Sequence, residues 1–151
     1  MPQPGPFRTA LWLALAAIPV AALRYFMKGW LDPWDVGPAA GSFFASLTVL
    51  LLFGVWWIFG DEARVPEPRF ARAAGAFALV AVWCEALVVT GILVTEAAHA
   101  DTYYSGPWEA VRHTFDSPAQ HAFAHALGFP VRLALGLALG AGVFRLRRPR
   151  A

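Results

Sequence analysis

The sequence has one cysteine, one lysine and no asparagine, and each scarcity closes off a class of protein. A lone Cys84 excludes an intramolecular disulfide, a C-x-x-C redox pair and an all-cysteine metal site, and its position within an apolar run makes it a buried, inert thiol. Without asparagine there is no glycosylation sequon. Lys28 apart, every basic side chain other than histidine is an arginine, a bias that suggests a GC-rich bacterial genome. Charge is also scarce: 15% of the residues are Asp, Glu, Lys or Arg, against 58% hydrophobic, and the mean hydropathy is +0.52. A soluble domain of 151 residues needs a more polar surface than this supplies.

What is present instead is a series of long apolar stretches. A bilayer core about 30 Å thick takes roughly 20 helical residues to cross, so the length accommodates four spans, at 9–27, 38–60, 73–98 and 118–144. The expected fold is therefore an all-α integral membrane protein, a single domain over 1–151 with four transmembrane helices in an up-down bundle. The first span has a basic start, an apolar centre and small residues at Ala21 and Ala22, features shared with a cleavable signal peptide, but it reads better as a retained anchor. Arg24, Tyr25 and Lys28 at its far end can snorkel outward.

Asp32, Pro33, Trp34, Asp35 and Gly37 mark a turn before the second span, which is free of charge and ends in Trp56 and Trp57. Asp61 to Arg72, with three acids, three arginines and two prolines, reads as a short exposed loop. Asp101 to Asp116 is the longest connection. In it Trp108, Val111 and Phe115 are spaced for a short interfacial helix, with Tyr103 and Tyr104 at the headgroups. Ser117, Pro118 and Gln120 have the pattern of a capped helix start, and Pro130 kinks the helix that follows.

The basic residues sort by side. Arg8, Arg64, Arg69, Arg72, Arg145, Arg147, Arg148 and Arg150 fall on one face of a four-span arrangement, and Arg24, Lys28 and Arg112 on the other. By the positive-inside rule both termini are cytoplasmic, in a bacterial inner membrane. The formal charge of +2 comes from these ends rather than from a basic stripe, so nucleic acid is excluded as a partner.

Two charges lie within the apolar spans, Glu85 and Arg132. Each costs about 2.5–3.5 kcal/mol at mid-bilayer if left alone. Counted from Ala73 and Phe144 they lie equally deep, so antiparallel neighbours bring them together as an intramembrane ion pair. About three helical turns further out, Glu96 falls above Glu85 and His121 above Arg132. His99 and His125 extend the same faces, giving an outer cluster of Glu96, His99, His121 and His125 whose side-chain types suit Zn²⁺, Cu²⁺ or iron. Two histidines on one helix turn cannot both serve as axial ligands of one haem, but His99 with His121 or His125 could if the helices splay. On the inner half, Ala74, Ala78 and Ala81 are expected to face Gly136 and Gly140, a G-x-x-x-G pair suited to close helix packing.

Phosphate-binding loops, dinucleotide fingerprints and nucleophile–base patterns are absent from the sequence. The expected function is thus a noncatalytic subunit or scaffold of a membrane assembly, with a protein partner or a second copy of itself. Two alternatives use the polar groups: a redox, metal- or haem-binding protein built on the outer His/Glu cluster, and a small proton-coupled transporter, active as an oligomer, gated at Glu85 and Arg132.

Overall fold

In a computed structural model, residues 5–31, 47–100, 102, 104 and 117–148 are described, with side chains of the first stretch taken to Phe26. Among them the secondary structure is entirely helical. Helix α1 spans Pro6–Leu31, and α2 spans Leu47–Gly54. A π-helical turn, Val55–Phe59, leads from α2 into the short α3, Gly60–Glu62. The chain continues as α4, Phe70–Ala97, α5, Pro118–Leu127, and α6, Phe129–Arg147.

Three segments are long and apolar enough to cross a membrane: Pro6–Phe26, Phe70–Ala97 and Pro118–Arg147, the last formed by α5 and α6 in sequence. They overlap the first, third and fourth ranges read from the sequence. The second expected span lies partly outside the described residues. The described part of it, 47–60, rises about 21 Å at 1.5 Å per residue. The turn at Asp32 to Gly37, Tyr103 and the interfacial helix around Trp108, Val111 and Phe115 also lie outside the described residues.

Helix α4 is the centre of the bundle, with α1, the π-helical turn, α5 and α6 packed around it. Small and aromatic residues make this possible. Ala10, Leu13 and Ala17 of α1 are buried against Ala73, Ala76, Phe77, Val80 and Cys84 of α4. Phe59, fully buried, sits 5.5 Å from the ring of Phe70 and 5.8 Å from that of Phe77, and Phe70 meets Phe144 edge-on. The extra residue of the π-helical turn lets Val55, Ile58 and Phe59 face inward while Trp56 and Trp57 stay half exposed.

Two of the three glycines of α6, Gly136 and Gly140, are used inside the chain. A Cβ on Gly136 would lie 2.6 Å from the Phe77 ring, and one on Gly140 would collide with Phe59. The expected alanine-on-glycine seam is thus replaced by rings seated on glycines, because Phe77 and Phe59 project further than alanine and fill the groove the glycines leave. Outward, α1 and α6 carry large exposed apolar side chains such as Trp12, Leu15, Leu135 and Leu139, the faces a bilayer would cover.

Prolines leave local signatures. Pro19 lies inside α1 and withholds one helix N–H. Five residues before it, the Ala14 carbonyl accepts a bond from the Trp83 indole of α4 at 3.0 Å, which ties α1 to α4. At the other end of the bundle Ser117 caps α5 as its sequence suggests, with extended backbone angles and its hydroxyl accepting from the Gln120 N–H at 3.2 Å. Pro130 falls in the first turn of α6, and the break between α5 and α6 comes at Gly128.

The Asp61 to Arg72 segment departs from its reading as an exposed loop. Glu62 is fully buried, and its carboxylate takes three bonds from the Arg72 guanidinium, at 2.6, 2.9 and 3.0 Å, and one from the Arg69 N–H at 2.9 Å. Counting charges locates polar segments, but it cannot show that one acid is folded under the loop by an arginine ten positions on.

Candidate functional site: a ladder of carboxylates and histidines

The polar side chains of α4 meet those of α5 and α6 at two levels. At the lower level Arg132 Nη2 lies 2.9 Å from both oxygens of the Glu85 carboxylate. His125 closes on the same group, with Nδ1 at 2.9 Å from Glu85 Oε1. At the upper level His121 Nδ1 lies 2.7 Å from Glu96 Oε1. The upper pair is the more enclosed: Glu96 is buried, and the His121 side chain is 13% exposed against 33% for His125 and 42% for Arg132.

The helix break explains how one arginine reaches so much. Gly128 and Pro130 interrupt the α5–α6 ladder, which leaves the His125 carbonyl near a turn rather than inside a regular helix. From the first turn of α6, Arg132 reaches back and donates to that carbonyl at 2.8 Å. Its guanidinium thus bonds the end of α5 and the middle of α4 at once.

The proton inventory constrains the triad. Nη2 carries two hydrogens, yet four acceptor atoms stand within reach: both Glu85 oxygens, the His125 carbonyl and, at 3.2 Å, His125 Nδ1. An unprotonated Nδ1 would put a lone pair against the carboxylate. A protonated Nδ1 donates to Glu85 and leaves Arg132 for the carboxylate and the carbonyl, so the hydrogen belongs on Nδ1.

His99 is placed differently from its expected role. Helix α4 ends at Ala97, and His99 has φ 50°, the left-handed conformation. Its N–H bonds the Glu96 carbonyl and the Ala100 N–H bonds the Thr95 carbonyl, the paired bonds of a Schellman cap. Its side chain is exposed and makes no hydrogen bond or ion pair among the described residues. The expected quartet is therefore divided: Glu96 goes with His121, His125 with Glu85, and His99 turns away where the helix terminates. Among the described residues no group of three or more His, Cys, Asp or Glu is placed to hold a metal ion.

Tyr104 is a participant that spacing and composition barely signal. Expected at the headgroups, it is buried instead against Ile92 and Ala122. Its hydroxyl donates to the Ala21 carbonyl of α1 at 3.0 Å, and the Arg24 guanidinium stands 5.1 Å from its ring centroid, within cation–π range. Arg24 thus lies over a ring rather than snorkelling away. Gly91 makes room for the ring, since a Cβ there would lie 2.6 Å from it. Below it Thr102 holds the loop, bonded to Thr95 at 3.0 Å and accepting from the Tyr104 N–H at 3.1 Å. Burial pushes the Tyr104 phenol above its ordinary range, with Arg24 pulling the other way.

Comparison with known proteins adds nothing to this geometry: no family model, curated protein or solved structure matches the chain.

Proposed function

We propose that the chain is a noncatalytic subunit or scaffold of a membrane assembly, held in register by the Glu85, His125 and Arg132 clamp. The observation that carries this reading is that the intramembrane charge is spent on itself. Glu85 and Arg132 bond each other, His125 joins them, and Arg132 ties the broken α5–α6 helix to α4. A buried ion pair adds little net stability but penalises every wrong register of the helices that carry it.

In the same proposal residues 38–60 form a fourth span, both termini face the cytoplasm, and the membrane is a bacterial inner membrane. The arginines at the two chain ends and in the Arg64 to Arg72 segment support that orientation. Gentle purification from native membranes, with mass spectrometry of what copurifies, tests the subunit reading. A partner in fixed stoichiometry supports it, and a monomer that carries a non-lipid ligand of its own contradicts it.

A second reading is favoured by one observation, an imidazole bonded to the Glu85 carboxylate beside Arg132. One turn away on α5 stands a second histidine–carboxylate pair, His121 with Glu96. Stacked pairs of this kind suit a small proton-coupled transporter. Reconstituted into vesicles with an internal pH dye, such a protein would carry protons and Glu85→Gln would abolish the flux; a flux no greater than that of empty vesicles excludes the reading.

A further inference from the structure

At the arginine-rich end of the bundle the start of α1 and the segment leading into α4 enclose a basin of about 540 Å³. That size lies within the range of small-molecule sites, about 300–1,000 Å³. Pro6, Phe7 and Arg8 line it from one side, and Val65, Glu67 and Arg72 from the other, with buried Glu62 beneath. A bond from Thr9 to Asp61, 3.3 Å, holds the two sides together nearby.

The donors around this basin are not all used. Arg72 commits Nε and Nη2 to Glu62 and to the Glu67 carbonyl, while its Nη1 has no partner among the described residues. Arg8 is exposed, and its guanidinium makes no hydrogen bond or ion pair among them. Arg72 is paired with Glu62, and Glu67 sits 3.5 Å from Arg69, so Arg8 is the cation of this lining that makes no ion pair among the described residues.

The depth of the basin identifies the kind of anion. Two apolar segments long enough to cross a membrane begin on its rim, at Pro6 and at Phe70, so the basin lies at the level of the lipid headgroups. Phe7, half exposed beside it, supplies an apolar edge where acyl chains begin. We propose that this basin binds the phosphate of a phospholipid headgroup, with Arg8 as its principal cation and Arg72 Nη1 as a second donor. Guanidinium suits phosphate because its planar fork offers two parallel N–H bonds. The inference goes beyond the subunit proposal and does not depend on it.

The test is retention of phospholipid by the full chain, purified in mild detergent and followed by native mass spectrometry through successive detergent washes. The native protein should keep one phospholipid per chain through washes that strip Arg8→Gln, with retention lower by about tenfold in the variant, the scale of one charge-assisted contact. Arg148→Gln, which removes the same charge away from the basin, should keep its lipid. Equal retention in Arg8→Gln and the native protein overturns the proposal, as does equal loss in Arg148→Gln, which would mean attraction by overall charge alone. Inorganic phosphate separates the two sources of the anion. If it binds the lipid-free native protein while no phospholipid survives the first wash, the ligand is free phosphate and the lipid assignment fails.

Discussion

Arg132 Nη2 stands 2.9 Å from both carboxylate oxygens of Glu85 while donating to the His125 carbonyl at 2.8 Å. One planar group thus bonds an acid in the middle of α4 and the end of α5, so the helix break and the ion pair form one structural unit. At the Gly128 break the His125 carbonyl accepts from the Gly128 N–H at 3.2 Å, and the arginine bonded to Glu85 donates to it as well.

The proton count at this unit fixes the histidine tautomer. His125 should carry its hydrogen on Nδ1, donated to Glu85. Nitrogen-15 NMR of histidine-labelled protein in lipid, assigned by comparison with His125→Gln, should show a protonated δ nitrogen and an unprotonated ε nitrogen. The opposite tautomer would mean that Arg132, not Glu85, is the partner of the ring.

Helical arithmetic accounts for which residues share a level in this bundle. Residues equally far from the expected span ends Ala73 and Phe144 meet, as Glu85 and Arg132 do, and a proline after a serine starts a capped helix at Ser117. Periodicity does not report how far a side chain reaches or where a helix stops. His125 belongs by spacing to the outer group, yet its ring goes to Glu85. His99 shares a face with Glu96 only if α4 continues, and α4 ends two residues earlier. Tyr104 and Glu62 are illegible for another reason. Each is buried by a partner distant in sequence or by a fold of its own loop, and nothing in the local composition distinguishes a buried loop residue from an exposed one.

The glycines of α6 give a clean contrast. Gly136→Ala and Gly140→Ala would push a methyl into Phe77 and Phe59, whereas a methyl at Gly142 would meet nothing within 4 Å. The first two should each lose about 1–3 kcal/mol to overpacking, and Gly142→Ala should be neutral or slightly stabilising, since alanine is the better helix former. Thermal unfolding in detergent measures all three. Equal behaviour at the three positions would show that α6 does not pack through its glycines.

Tyr104→Phe removes the bond to the Ala21 carbonyl and keeps the ring under Arg24. The loss should be about 0.5–1.5 kcal/mol, that of one neutral hydrogen bond. The phenol also sets a pH dependence. Because folding raises its pKa, the folded state holds the proton more tightly, so this contribution is complete below the ordinary tyrosine value of about 10 and is lost as pH rises through the folded value. Melting temperature should therefore fall on the alkaline side more steeply in the native protein than in Tyr104→Phe, and parallel curves would contradict the buried phenol.

The clamp itself is most directly tested by a double-mutant cycle on Glu85 and Arg132, read as folded protein recovered from the membrane and as unfolding free energy in detergent. Glu85→Leu and Arg132→Leu each strand a charge within the span and should lose about 2–3 kcal/mol, near the cost of an unpaired charge at that depth. The double variant should recover most of that loss, giving a coupling of at least about 1 kcal/mol. Additive losses, with no recovery in the double variant, would contradict the clamp and with it the account of how α4 is joined to α5 and α6.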